Sequence, residues 1–252
     1  MKFAVIAALA GTTNAWFGTG HLLVARIAED ILETSAPDQL AKVNAILKTL
    51  ESADSTGTKN EGKHAFVECA TYADDFKYHG GFYQKEWHFI DQPYLDEGGK
   101  ISDYDFTADT HPITEAIHGL VDWTTDLAHP KDSFIKTTVE GATKGPEENA
   151  ISVAMRLLIH YVGDIHQPLH ATSRVDHEYP KGDFGGNTVH LPSKDGVTNL
   201  HALWDSVGYE FSGYAKLPFS DSNWELNGKR AADLVERHPL TSIKVDVTNL
   251  DP

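Results

Sequence analysis

Apolar positions along this chain recur mostly with a helical period. In His21-Leu22-Leu23-Val24-Ala25-Arg26-Ile27-Ala28-Glu29-Asp30-Ile31-Leu32 they return every three to four residues, as one face of an amphipathic helix requires. A second helix is expected from Pro37-Asp38 to Leu50, and a polar loop rich in Ser, Thr and Gly follows over 51–62. A third helix is expected from about His64 to Tyr78, ending at Gly80-Gly81. Residues 92–110 are acidic, lack the helical period and read as a long loop. Helical patterns resume over Pro112–Leu127, Glu147–Val162, Asn199–Phe211 and Trp224–Arg237. Between two of these, Phe184-Gly185-Gly186-Asn187-Thr188-Val189-His190-Leu191 alternates as a short strand or hairpin arm does. No internal repeat interrupts the series. The expected fold is all-α: one mostly helical domain with a short β-hairpin.

The first residues stand apart. Met1-Lys2 precedes the apolar run Phe3–Ala10, then small and polar residues ending Thr13-Asn14-Ala15. A single positive charge, a short apolar core and small residues at the cleavage positions predict a signal peptide over 1–15. The mature domain is then expected to span 16–252, to begin at Trp16 and to work in a secreted or vacuolar-lumen setting. No other run approaches the ~20 apolar residues of a membrane span. At 252 residues the chain can bury one substantial core without needing a second domain. Its net charge of −16 argues against gripping duplex nucleic acid through a basic face. A polyanionic substrate stays possible if bound cations reverse the local field. Cys69 is the only cysteine, so no disulfide forms within the chain.

The densest chemistry lies in His160-Tyr161-Val162-Gly163-Asp164-Ile165-His166-Gln167-Pro168-Leu169-His170 and in His201-Ala202-Leu203-Trp204-Asp205. Each places a His and an Asp four residues apart, ~40° from one another around a helix axis. Imidazole and carboxylate converging in this way suit a borderline ion such as Zn²⁺. Asp74 follows mostly apolar residues at the end of its predicted helix. His88 lies among aromatics in Trp87-His88-Phe89-Ile90-Asp91. A polar group so placed is costly unless paired or metal-bound. With His21, the candidates are His21, His88, His160, His170, His201, Asp74, Asp164 and Asp205. A histidine taken singly is more often structural, and the remaining nine, His166 among them, are assigned no ligand role.

The ordered set Trp16…His21, Tyr-Ala-Asp74, His88-Phe-Ile-Asp91, His160-Tyr-Val-Gly-Asp164-x-x-Gln-Pro-Leu-His170, Gly-Gly-Asn187 and Asn199-Leu-His201-x-x-Trp-Asp205 resembles the trinuclear-zinc single-strand nucleases of fungi and plants, the S1/P1 family, distantly related to bacterial zinc phospholipase C. The resemblance runs from Trp16 to Asp205 in order. It implies three zinc ions per chain: one held by Asp74, His88, His160 and Asp164, a second by His170, His201 and Asp205. The third would take the amine and carbonyl of Trp16 with His21 and Asp164. An uncut signal peptide would leave that last site empty, coupling secretion to activation.

Asp74 is expected to orient the attacking water as well, and by the same resemblance Lys77 steadies transition-state charge. Phe89 stacks on a base and Asp91 hydrogen-bonds its edge. The implied activity is endonucleolytic cleavage of single-stranded DNA and RNA to 5′-phosphate products, with 3′-nucleotidase action, by a monomer. Two departures are expected to matter. The sequence stops at Pro252, before the family's last C-terminal helices, and the family's disulfides are absent. The alternatives are a phospholipase C-like phosphodiesterase and a secreted zinc- or nucleotide-binding protein without turnover.

Overall fold

Burying the apolar stripes found in the sequence brings the helices around one central member. The structure, a computed structural model, describes residues 16–212 and 215–239. The expected signal peptide and the end of the chain beyond 239 lie outside the described residues. In chain order the elements are α1 (Gly18–Ser35), α2 (Pro37–Ala53), α3 (Ala65–Glu68), α4 (Tyr72–Lys77), β1 (Pro93–Leu95), α5 (Ile113–Thr125), α6 (Phe134–Ala142), α7 (Glu147–Asp164), β2 (Ser173–Val175), β3 (His190–Lys194), β4 (Val197–Asn199), α8 (Leu200–Asp205) and α9 (Asp221–Arg237).

Helix α7 is the axis of the molecule. It buries residues around most of its circumference, including Val153, Ala154, Met155, Leu157, His160 and Tyr161, and such a helix must be surrounded. On one side Leu120 and Trp123 of α5, Ile135 and Val139 of α6 and Trp87 pack with Leu157 and Tyr161. On another, Leu22 of α1, Leu47 of α2 and Phe66 and Val67 of α3 enclose Met155. Each large side chain buried in this way contributes about 1.5–3 kcal/mol. Among the described residues no helix is long and apolar enough to cross a membrane.

Polar ties hold the loops to this frame. Arg156 of α7, fully buried, makes a bidentate pair with Glu61 (2.8 and 2.6 Å) and donates to Leu47 O at 3.0 Å. Two parallel bonds and a carbonyl partner offset the cost of taking those charges out of water. Buried Glu68 accepts backbone N–H groups of Gly62 (2.7 Å), His64 (3.0 Å) and Phe219 (2.7 Å), joining two separate loops. Helix α9 docks on α1 through Trp224, whose ring stacks on His64 at 3.6 Å and lies 3.8 Å from the Arg26 guanidinium. Cys69 is a buried packing residue whose thiol burial pushes upward in pKa, away from reactivity.

The all-α expectation holds, and the hairpin is β3–β4, closed by Asp195-Gly196 with both residues at positive φ (52° and 83°). That mirror-image turn matches the strands' twist. Several boundaries differ from expectation. The helix over 64–78 is broken by a 3₁₀ turn at Cys69–Thr71. The expected strand from Phe184 starts only at His190, because Phe184, Gly185 and Gly186 have φ of 53°, 60° and 78°. The helix from 199 stops at Asp205, ahead of left-handed Val207, Gly208 and Tyr209. Helix α6 has no counterpart in the sequence reading. It spans nine residues and buries only Ile135 and Val139, too few to establish a period, while Ser133 caps it by accepting from Lys136 N. The loop expected over 92–110 contains β1, which pairs in parallel with β2, Pro93 opposite Ser173.

Glu29 of α1 gives the fold a pH signature. Burial, with Glu33 beside it, pushes this carboxyl from its ordinary 4.5 up to about 7. Between those values the unfolded chain has released the proton while the folded one retains it, so stability falls as pH rises. Urea unfolding from pH 4.5 to 7 should show a loss of about 1–2 kcal/mol after allowance for partial solvent screening, and Glu29→Gln should flatten it. An unchanged slope in the variant would assign the loss elsewhere.

Candidate metal centre

Five separate segments meet at the end of α7. Helix α7 supplies His160 and Asp164 from one face, and α8 supplies His201 and Asp205 with the same spacing. Helix α1 brings His21, α4 brings Asp74 and Lys77, and the 3₁₀ segment Phe82–His88 ends on His88. A 3₁₀ turn opened by Pro168 delivers His170. Asp164, with no exposed surface, lies at the middle. Its Oδ1 is 3.2 Å from Nε2 of both His21 and His160, and its Oδ2 is 2.7 Å from His88 Nδ1. The His21 and His160 rings stack at 4.0 Å. Asp74 Oδ1 is 3.7 Å from His160 Nε2 and 3.9 Å from His88 Nδ1.

Backbone carbonyls fix which nitrogens carry hydrogen. A carbonyl can only accept, so each ring nitrogen facing one must donate. His160 donates from Nδ1 to Ala70 O (2.6 Å), His170 to His88 O (2.7 Å) and His201 to Gly185 O (2.7 Å). Their Nε2 atoms therefore all face inward, each able to offer a lone pair when its ring is neutral. The Nε2 atoms of His170 and His201 are only 3.1 Å apart, with Asp205 Oδ1 3.6 Å from the latter. His21 Nε2, His160 Nε2 and Asp164 Oδ1 are buried without a hydrogen bond. Acceptors facing acceptors in a dry interior repel unless a cation lies among them.

The donors fall into three groups with ligand atoms mutually within 4.8 Å: His21, Asp74 and His160; His88, His160 and Asp164; His170, His201 and Asp205. A set of imidazoles and carboxylates fits a borderline divalent ion. Eight of the nine residues expected as ligands are therefore gathered, with His21 set beside Asp74 as well as Asp164. The ninth, Trp16, is half-buried nearby, its indole N–H donating to Gly163 O at 2.9 Å.

The electrostatics separate two regions. Burial drives the Asp74 carboxyl up, but Lys77 at 2.9 Å, with His160 and His88, more than offsets this and holds it at about 2. The same contest at Asp164 is won by His160 and His88, and its carboxyl stays well below the usual range. Burial, then Lys77, pushes His88 down to about 4. At His170, His201 and Asp205 burial wins instead, with Lys77 a minor influence on the last two. Burial lowers His170 to about 3, lowers His201 and pushes Asp205 well above the usual carboxylate range.

Phe89 stacks on His170 with centroids 4.4 Å apart and remains half-exposed beside this group. Asp91 is half-buried, its N–H donating to Asp109 Oδ2 at 3.1 Å, and burial together with Asp109 raises its carboxyl to about 7. The sequence reading missed two glutamines, both with no exposed surface. Gln84 accepts from His88 Nε2 at 2.7 Å, and Gln167 donates to Asp205 Oδ1 at 2.7 Å. Gln84 precedes His88 by four residues, a spacing that gave a weak signal, whereas Gln167 stood in view inside the His160–His170 motif.

Two glycines let the parts approach. A Cβ on Gly163 would lie 2.6 Å from His21 Nδ1, and one on Gly185 would lie 2.1 Å from Leu169 O. Gly185 also has φ +60°, which a side chain disfavours. Gly163→Ala should force the His21 ring away and cost about 1–3 kcal/mol by urea unfolding. Gly141→Ala on α6, where a Cβ meets nothing, should gain up to about 1 kcal/mol. Equal effects at the two positions would show that His21 is not wedged against α7.

The S1/P1 nuclease family matches over residues 16–232. Nuclease S1 of Aspergillus oryzae is 26% identical over 204 residues, covering 81% of this chain and 58% of its own length. Endonuclease 3 of Arabidopsis thaliana is 28% identical over 211 residues (82% and 59%), and Endonuclease 1 of the same plant 27% over 199 (77% and 54%). The chain thus spans a little over half the length of the curated relatives it matches. With most of its sequence inside that match, the chain belongs to the S1/P1 nuclease family.

Proposed function

We propose that this chain is a secreted, zinc-dependent endonuclease that hydrolyses single-stranded DNA and RNA to 5′-phosphate products. The reading rests above all on the inward-facing Nε2 atoms of His160, His170 and His201, to which a divalent cation would bind. Family membership and nuclease relatives support phosphodiester hydrolysis as the chemistry. Three zinc ions, held by Trp16, His21, Asp74, His88, His160, Asp164, His170, His201 and Asp205, would supply Lewis acidity that generates hydroxide near neutral pH and neutralises charge on the phosphate.

The chain's own side chains then orient the reactants. Asp74, ionised and buried, orients the attacking water through its free acceptor capacity. Lys77, buried at 2.9 Å from Asp74, keeps its proton because that carboxylate outweighs the effect of burial, and it stands ready to stabilise phosphate charge. Phe89 offers its outer face to a base, which favours strands whose bases are unpaired. Asp91 reads the base edge. An overall charge of −16 makes a duplex a poor ligand, since its dense phosphates would have few cationic side chains to meet.

The test is hydrolysis of single-stranded DNA and RNA by the purified protein beginning at Trp16, with zinc and then with a chelator. Chelator-sensitive release of 5′-phosphorylated products is expected. Lys77→Met should lower kcat by about 10²–10³. Phe89→Ala should lower kcat/KM on single strands by roughly 5- to 150-fold, the value of one base stack. Zinc-loaded protein inert on nucleic acid but active on a phospholipid would replace this reading with a lipid phosphodiesterase. Inertness on every phosphodiester would replace it with a binding role.

A further inference from the structure

Among the four buried imidazoles held by such hydrogen bonds in the described residues, His88 is turned the opposite way from the other three. His160, His170 and His201 each spend Nδ1 on a backbone carbonyl and leave Nε2 free. His88 instead faces Gln84 Oε1 with Nε2 (2.7 Å) and presents Nδ1 to Asp164 Oδ2 (2.7 Å). The amide of Gln84 cannot be reversed without penalty. Its Nε2 donates to Ala73 O at 2.8 Å, and its Oε1 also accepts from the Tyr161 hydroxyl. A flipped amide would set oxygen against the Ala73 carbonyl in a site with no exposed surface, where an unmet polar group costs about 1–3 kcal/mol.

Gln167 plays the complementary part at the other end of the centre. Its Oε1 accepts from Leu169 N at 2.6 Å, which forces its NH₂ toward Asp205 Oδ1 at 2.7 Å. Each glutamine is thus oriented by the backbone and hands that orientation to one candidate ligand. Neither has any exposed surface.

We propose that Gln84 and Gln167 are positioning residues: Gln84, backed by Ala73 O and Tyr161, makes His88 a metal ligand through Nδ1, and Gln167 holds the Asp205 carboxylate in its ligating pose. This rests on the metal-centre reading above and adds to it which atoms bind and what fixes them. Outer partners of this kind are worth about 10- to 100-fold in metal affinity.

Long-range ¹H–¹⁵N spectra of the zinc-loaded protein report the tautomer of each buried imidazole. The expected pattern has hydrogen on Nε2 in His88 and on Nδ1 in His160, His170 and His201. Hydrogen on Nδ1 of His88 would overturn the proposal. Chelator competition then follows zinc retention in Gln84→Met and Gln167→Met, which keep side-chain length without the amide. Each should weaken part of the bound zinc about 10- to 100-fold. Wild-type affinity in both methionine variants would overturn it. Should Gln84→Met fail to fold, the wild-type spectrum and Gln167→Met decide. A wild-type protein that binds no zinc would instead remove the metal reading itself.

Discussion

A carboxylate with no exposed surface is the constraint around which this molecule is arranged. Asp164 sits at the C-terminal end of α7, where the helix's own dipole is negative and adds to the cost of a buried anion. His160 of α7, His21 of α1 and His88 of the 3₁₀ segment are all set against it, so elements remote in sequence are committed to one point. On the proposed reading, a cation held among these groups offsets that cost. The two apolar clusters on either side of α7 hold those elements at the required distance. Packing and site chemistry therefore constrain the same residues.

Departures from regular structure fall where the site takes something from the backbone. The break in the 65–77 helix occurs at the residue whose carbonyl receives His160 Nδ1. The left-handed Gly185 turns its carbonyl to His201 and could not hold a side chain against Leu169. Ile90 N donates to His170 O while His170 Nδ1 donates to His88 O, so the segment carrying Phe89 is laced to the ligand turn. Three carbonyls freed from ladders thus determine three tautomers.

This explains what was legible in the sequence. Both His–Asp pairs were readable because a four-residue spacing on a helix carries its geometry with it. The buried helices were readable from period alone, as Leu22, Leu47, Leu120 and Leu157 each recur on an apolar stripe. The break at Cys69–Thr71 was not, since nothing local disfavours a continuous helix there and the demand comes from His160, some 90 residues away. Gln84 was overlooked for a related reason: an uncharged amide shows its value only through its partners. Helix α6 was lost because two buried positions do not define a period.

The charge balance bears on how such a site would meet its substrate. Lys77, at the centre, is already engaged by Asp74. The Asp91 side lies among Asp109 and Asp183, which repel rather than attract phosphate. On the proposed reading, the attraction for a polyanion must then come from bound cations, and the polypeptide adds the aromatic face of Phe89 over His170. A base can reach that face only when it is out of a duplex stack. On that reading, a preference for single strands follows as much from the chain's net charge of −16 as from the aromatic face of Phe89.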